Sequence, residues 1–456
     1  MSLGRAVHQK PGKLGRNAGG RGEAEPKAVR DEARTARHAT GSPGREDLLA
    51  QALASANMEA AWKRVKSNRG SAGVDGLSIA GTADYLRTHW PRIRESLLDG
   101  SYRPLPVRRV QIPKPDGGVR ELGIPTVTDR LIQQALLQVL QRRIDPTFSD
   151  HSYGFRPGRR AHDAVLDAQR FVQDGYRVVV DVDLEKFFDR VNHDILMERL
   201  ARRIDDKAVL RLIRRYLVAG IMDGGVVMAR YEGTPQGGPL SPLLANVLLD
   251  EVDRELERRG HRFVRYADDC NVYVRSRRAG ERVLAGLTKL YERLHLKVNE
   301  VKTAVASATG RKFLGYELWR SAGDRIKCAV ARKALDTFKQ RIRQMTRRSG
   351  GRSLPEIAER LRTYMPGWKA YFQLAQTPKV FRELDEWLRH RLRAVQLKHW
   401  RRGTTMYREL KAMGASEADA RKVAANSRCW WRNSRMRLNR VMPIAYFDRL
   451  GVPRLS

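Results

Sequence analysis

The sequence predicts an α+β fold, and three observations carry that prediction. Apolar residues alternate along Arg177–Leu184 and again along 262–274, the period-two pattern of strands. Elsewhere they recur at helical spacing, as in Leu244, Val247, Leu248 and Val252. From about residue 320 onward the chain reads as basic helices interleaved with aromatic residues.

Taken in order, residues 1–46 are rich in Gly, Ala, Arg and Lys, with scattered Pro and no Phe, Trp or Tyr. Such a stretch buries too little apolar area to offset its ordering entropy, so a disordered basic tail is expected. Glu23, Glu25, Asp31 and Glu32 set it apart from an organelle transit peptide. Leu48, Leu49, Ala52 and Leu53, then Met58, Ala61, Trp62 and Val65, mark helical faces, broken at Gly70–Gly76. Residues 107–125 read as a β-hairpin, with Val110 and Ile112 leading into a Pro115-Asp116-Gly117-Gly118 turn and Val119 and Leu122 returning. A helix is expected over Asp129–Ile144. The strand at 177–184 sends Val178, Val180, Val182 and Leu184 one way and Val179, Asp181 and Asp183 the other. A Gly-rich loop at 233–239 runs into a helix with Ser241 as N-cap and Pro242 in its first turn. Two short strands then flank Ala267-Asp268-Asp269.

Charge narrows the partners. Among 456 residues, 88 Lys and Arg against 51 Asp and Glu give +37. That excess points to a polyanion, nucleic acid first. From Arg320 to the end, 33 basic residues face 11 acidic ones, so about +22 of the charge lies in the last third. Five of the eight tryptophans lie there too: Trp368, Trp387, Trp400, Trp430 and Trp431. Each reads first as core, since most Trp are largely buried, and second as a platform for stacking bases. No apolar run approaches the roughly 18–20 residues of a membrane span. Cys270, Cys328 and Cys429 are too few and too far apart for a disulfide framework or a zinc ribbon. A cytoplasmic, nucleic-acid-associated protein is expected, with no membrane partner.

Two carboxylate sites stand where strands would end, Asp181-Val182-Asp183 and Asp268-Asp269. Taken singly, each could be a strand-end cap or a solvated turn. Together they fit phosphoryl transfer, which needs positioning and charge neutralisation more than covalent help. Two Mg²⁺ ions roughly 3.5–4 Å apart supply both, and Mg²⁺ takes hard oxygen ligands while keeping several waters.

Here the chain resembles the reverse transcriptases encoded by group II introns. Tyr266-Ala267-Asp268-Asp269 is similar to their Tyr-Xaa-Asp-Asp box, and Asp183-Leu184-Glu185-Lys186-Phe187-Phe188-Asp189 to their first catalytic box. Thr234-Pro235-Gln236-Gly237-Gly238-Pro239-Leu240-Ser241-Pro242 resembles the nucleotide-pocket box. Arg69–Gly76 and Tyr153-Gly154-Phe155-Arg156-Pro157 resemble the N-terminal extension and a fingers box. Lys297-Val298-Asn299 to Lys302 and Phe313-Leu314-Gly315-Tyr316 resemble the later palm boxes. The boxes stand in the family's order.

The resemblance implies a right-hand polymerase with fingers, an antiparallel-sheet palm and a helical thumb, followed by a basic helical maturase region. The implied division is an N-terminal extension and fingers at 47–175, a palm at 176–320, and thumb with maturase at 321–456. It implies two Mg²⁺ ions, or Mn²⁺ in their place, on Asp183, Asp268 and Asp269. Lys114 and Arg120 would grip the triphosphate of a dNTP; without the family both are ordinary exposed hairpin charges. Phe188 would exclude a ribose 2′-hydroxyl, or else pack in a core. Gln236 would line the sugar pocket, and Lys302 would protonate pyrophosphate, or else be a solvated lysine. Asp181 reads as a supporting group. Arg389, Arg391 and Arg393 are the expected RNA contacts. Implied partners are group II intron RNA, an RNA template and a DNA primer. No His-Asn-His nuclease with paired Cys follows the maturase region, so a form resembling the compact bacterial branch without an endonuclease is expected. The alternatives are an intron-independent reverse transcriptase of phage defence or diversity generation, and a maturase that only binds RNA.

Overall fold

The computed structural model describes residues 47–456 apart from 114–117, 224, 229–230, 235–236 and 436–437. The expected basic tail and the tip of the 107–125 hairpin lie outside the described residues. Among the described residues eleven strands run in chain order: β1 Val107–Pro113, β2 Val119–Ile124, β3 Val178–Val182, β4 Ile221–Asp223, β5 Val226–Met228, β6 Arg262–Tyr266, β7 Asp269–Val274, β8 Ala304–Ser307, β9 Lys312–Phe313, β10 Tyr316–Arg320 and β11 Ile326–Val330. They form three sheets among the described residues.

The chain divides into two compact units, one of 1–148 with 186–248, the other of 149–185 with 249–456. This differs from the division expected at 175/176 and 320/321. Residues 149–175 fold with the β3 sheet, and 186–248 fold with the N-terminal segments. Packing between residues distant in sequence decides the boundary, and strand periodicity alone does not report it.

In the first unit, β1 and β2 pair as the expected antiparallel hairpin, with Ile112 opposite Arg120. The sheet continues through β4, parallel to β1, to β5. Beside it the helix Val127–Ile144 begins at Thr126, whose hydroxyl accepts the Asp129 amide. Leu131 and Ala135 of that helix pack on Ala61 of the helix Ser55–Asn68.

In the second unit the order β6-β7-β3-β8 makes a fully antiparallel sheet. Both its faces are covered. The helix Arg277–Arg293 buries Gly280, Val283, Leu287 and Leu290 at helical spacing, and Gly280 sits against Val180, Val274 and Val305. On the other face, Val179 and Tyr273 share a core with Ala164, Val165, Ala168 and Phe171 of the helix Ala161–Gln173. A second core belongs to the C-terminal helices Arg332–Met345, Leu354–Tyr371 and Pro378–Trp400 with the shorter ones after them. It is built on Phe338, Leu361, Leu388, Leu392 and Phe447. The helix Leu354–Tyr371 starts at a Ser353–Glu356 capping box.

Four of the five C-terminal tryptophans pack against cores of this unit, as their first reading held, and Trp431 is exposed. Ser241 is the first helical residue of Ser241–Arg258. No helix of the described residues is long and apolar enough to cross a membrane. All three cysteines are free.

Candidate active site

The β3–β7 ladder pairs Val182 with Cys270 and Asp181 with Asn271. Asp183 follows the last paired residue of β3 and Asp269 opens β7, so both stand at the same end of the ladder. Opposed residues of an antiparallel pair hold their β-carbons about 4.5–5.5 Å apart. Alternation puts Asp181, Asp183, Asn271 and Asp269 on one face. The turn between β6 and β7 is Ala267-Asp268, and Ala267 takes a left-handed φ of 59°.

Asp183 is fixed by the segment 297–303. The Asn299 amide donates to the Asp183 carbonyl at 2.8 Å, and the Asp183 amide donates to the Thr303 hydroxyl at 3.1 Å. The Glu185 amide donates to the Lys297 carbonyl at 2.8 Å, and Leu184 bridges to Val298. Lys302 Nζ lies 3.6 Å from Asp183 Oδ1. Asp181 takes a hydrogen bond from Arg311 Nε at 2.7 Å, and Arg311 also donates to the Lys302 carbonyl.

Asp269 titrates high. Its carboxyl is pushed up to about 6, first by desolvation, although its surface still reaches solvent, and then by the charges of Asp268, Asp181 and Asp183. Crowded carboxylates of this kind, all hard oxygen donors, suit Mg²⁺ or Mn²⁺. Among the described residues, no three His, Cys, Asp or Glu side chains are already gathered around one point as a ready-made cage. Ligation by Asp183, Asp268 and Asp269 would therefore require them to turn inward, with Asp183 leaving Lys302.

The remaining expected residues divide. Lys114 and Gln236 lie outside the described residues, and Arg120 lies in β2. Gly237, beside Gln236, has φ 143°, and a β-carbon on it would come within 2.6 Å of the Gly123 carbonyl oxygen. Only glycine lets this loop run so close to β2. Phe188 is half-buried, packed edge-on to the buried Phe187 at 5.0 Å, and its carbonyl accepts the Thr234 amide at 2.7 Å.

Two of the three expected RNA-contacting arginines are corrected. Arg389 and Arg393 are 3% and 6% exposed. Arg389 pairs with Asp385 at 3.4 Å, and Arg393 Nε donates to the Met442 carbonyl at 3.0 Å. Burial first, and then the charge of Arg389, pulls the Arg393 guanidinium down to about 10. Arg391 is half-buried, and its Nε donates to the Thr346 hydroxyl at 2.9 Å. On the helix Pro378–Trp400, positions 389 and 393 fall one turn apart on the inward stripe that carries Leu388 and Leu392, and reading their charge as exposure missed this.

Sequence reasoning also missed Arg265 and Asp253, a pair with no exposure at all on either side chain. The signal was present: Arg265 interrupts the apolar run Phe263-Val264, and Asp253 falls on the same helical stripe as Leu249 and Leu256.

Residues 112–318 match the family described as reverse transcriptase (RNA-dependent DNA polymerase). Residues 335–414 match the group II intron, maturase-specific domain. Curated relatives include Protein YkfC of Escherichia coli strain K12, 40% identical over 191 residues, which are 41% of this chain and 50% of that protein. Group II intron-encoded protein LtrA of Lactococcus lactis subsp. cremoris is 40% identical over 196 residues, 42% of this chain and 32% of LtrA. The chain thus spans half or less of the length of these relatives. A chain of the partial Cas6-RT-Cas1–Cas2 complex aligns with TM-score 0.36 at 25% identity, over 54% of this chain and 43% of that one.

An antiparallel sheet bearing paired carboxylates at its turn, together with the first of these matches, defines the class as a reverse-transcriptase-type polymerase. With the maturase-specific domain behind it, the two matched regions together are those of a group II intron reverse transcriptase/maturase.

Proposed function

We propose that this chain is an RNA-directed DNA polymerase, extending a DNA primer on an RNA template by two-metal nucleotidyl transfer, and a maturase that binds its intron RNA to aid splicing and retrohoming. The observation that carries the polymerase reading is the β3–β7 ladder, which ends at Val182 opposite Cys270 and so brings Asp183, the next residue, to the end of the sheet where Asp269 and the Asp268 turn lie. The maturase-specific match at 335–414 and the basic excess of the last third support intron RNA as partner over an intron-independent role.

In the reaction the primer 3′-hydroxyl loses its proton to solvent, its oxygen bonds to the α-phosphorus of a dNTP, and the bond to pyrophosphate breaks. Two Mg²⁺ ions, or Mn²⁺, would neutralise charge on the attacking and leaving oxygens. Asp183, Asp268 and Asp269 would hold them. Asp181 stays with Arg311 and keeps that guanidinium beside the 302 backbone. Lys302, released from Asp183, gives a proton to the leaving pyrophosphate. Lys114 and Arg120 grip the triphosphate, where the arginine offers a bidentate fork. Phe188 closes the space a ribose 2′-hydroxyl would need, and Gln236 lines the sugar pocket. Fingers, palm, thumb and maturase regions would follow one another along the chain, in a protein working on nucleic acid in the cytoplasm.

Primer extension tests this. Purified protein should extend a DNA primer on an RNA template with Mg²⁺ or Mn²⁺ and stop when the metal is chelated. Extension that persists in chelator would overturn the metal-site assignment. A parallel splicing assay with flanking intron RNA tests the second activity.

A further inference from the structure

Arg265 is the bulkiest side chain that is wholly buried among the described residues. A buried guanidinium is tolerated only when its donors are met, and these are met by three separate segments. Nε donates to Asp253 Oδ1 at 2.8 Å and Oδ2 at 3.0 Å, and Nη2 donates to Oδ2 at 2.5 Å. Nη2 also donates to the Ser152 hydroxyl at 2.8 Å. Nη1 donates to the Ala267 carbonyl at 2.9 Å. The fork therefore ties the helix Ser241–Arg258 and the loop around Ser152 to the residue just before Asp268.

That residue is held in a conformation that L-amino acids rarely adopt, φ 59° at Ala267. The loop is bound to β6 through its backbone as well. The Arg265 amide donates to His151 O at 2.9 Å, and the Tyr153 amide donates to Arg265 O at 2.9 Å.

We propose that Arg265 is a positioning residue for catalysis: by gripping the Ala267 carbonyl it fixes the turn from which Asp268 and Asp269 project, and so sets the affinity of the site for divalent cations. This rests on the metal-dependent polymerase reading above. An ion pair serving stability alone could be met by Asp253 and a lysine. The bond to Ala267 needs the planar fork, which reaches several acceptors at once where an ammonium is a point charge.

The test uses the full-length protein, with Mn²⁺ as probe, and measures ion binding by electron paramagnetic resonance beside steady-state primer extension. In Arg265→Lys the Mn²⁺ dissociation constant is expected to rise about 10-fold or more, the range for losing a group that orients metal ligands. The kcat should fall by at least as much, with KM for dNTP within about 2-fold, because the turn and not the triphosphate grip is disturbed. Adding Ala267→Gly should recover part of the Mn²⁺ affinity, since glycine adopts the left-handed turn without help. A purely structural defect would not respond to that change.

Mn²⁺ affinity and kcat unchanged in a folded Arg265→Lys protein would overturn the positioning role while leaving the polymerase reading intact. No Mn²⁺ binding by the unsubstituted protein would overturn both. Should Arg265→Lys fail to fold, Ser152→Ala carries the test, because it removes only one acceptor that aims the fork. It is expected to weaken Mn²⁺ binding by about 2–3-fold with KM for dNTP unchanged, and unaltered Mn²⁺ binding would overturn the proposal.

Discussion

Gly154 packs so tightly on the backbone of Ala267 that a β-carbon on it would overlap the Ala267 amide nitrogen. The obstacle is backbone, which cannot rotate aside as a flexible side chain would. Gly154→Ala is therefore expected to displace the Asp268–Asp269 turn, with an overpacking cost of about 1–3 kcal/mol. A shift of about 1 Å in catalytic groups can cost roughly 100-fold in rate, so kcat should fall far more than the lowered melting temperature explains. Thermal denaturation and primer extension on the same preparation separate the two effects.

Asp268→Ala removes an oxygen donor from the turn and leaves the basic C-terminal helices untouched. The cations are expected to supply several kcal/mol of transition-state stabilisation, so extension should drop by roughly 1,000-fold or more. Affinity for RNA, measured by filter binding at fixed salt, should stay within about 2-fold, because ion pairing with phosphates sets it. A variant that still polymerises would remove Asp268 from the metal site.

The raised Asp269 carboxyl fixes a sign for pH dependence. Its ordinary value is 3.8, and the folded protein holds it at about 6. Between those values the metal-free folded state keeps a proton that the unfolded chain has released, so rising pH removes stability across that window. Above about pH 6 the penalty is complete, and below about pH 4 it is absent. Asp269→Asn, which carries no charge, should accordingly raise the melting temperature in chelator more at pH 8 than at pH 5. Mn²⁺ must displace the same proton, so ion affinity of the unsubstituted protein should weaken as pH drops below about 6.

The strands that carry the carboxylates were legible because their signals are local. Period-two alternation placed Asp183 at the end of β3, and two short strands around Ala267-Asp268 gave the turn. The helix 127–144 and the 107–124 hairpin were readable for the same reason. What stayed hidden depends on partners distant in the chain. The 149–157 loop is hydrogen-bonded to β6 more than 100 residues later, a contact that no local pattern announces. Arg265 and Asp253 break apolar patterns, yet only the assembled sheet shows which acceptors the guanidinium meets. The buried arginines of the helix Pro378–Trp400 misled because charge usually marks a solvated face, and here the carboxylate of Asp385 makes burial tolerable.

Those arginines lead to a prediction that separates stability from RNA binding. Asp385 is buried beside Arg389 and also accepts the amides of Leu455 and Ser456 at 2.9–3.1 Å. Arg389→Ala would leave that carboxylate without its cation, and breaking a buried pair costs about 3–5 kcal/mol. Arg343 and Arg348 are different. Both are exposed, Arg343 over the Trp387 ring at 5.7 Å and Arg348 over Trp430 at 5.7 Å, and neither pairs with a carboxylate among the described residues. Lys398 lies over Trp430 at 4.2 Å, adding a further cation to the same rings. A cluster of cations beside aromatic faces is what a nucleic-acid backbone and its bases can use. The double variant Arg343→Ala/Arg348→Ala is expected to keep its melting temperature within a few degrees, since surface changes usually shift stability by no more than about 0.5 kcal/mol. Its RNA affinity should fall, and the slope of log K against log salt should flatten by about 1 for each phosphate that is no longer neutralised. Arg389→Ala should do the reverse, melting early yet binding RNA with an unchanged salt slope wherever it remains folded. Salt titrations of binding beside calorimetric melts of both variants decide the point, and an altered slope in Arg389→Ala would return that residue to the RNA interface.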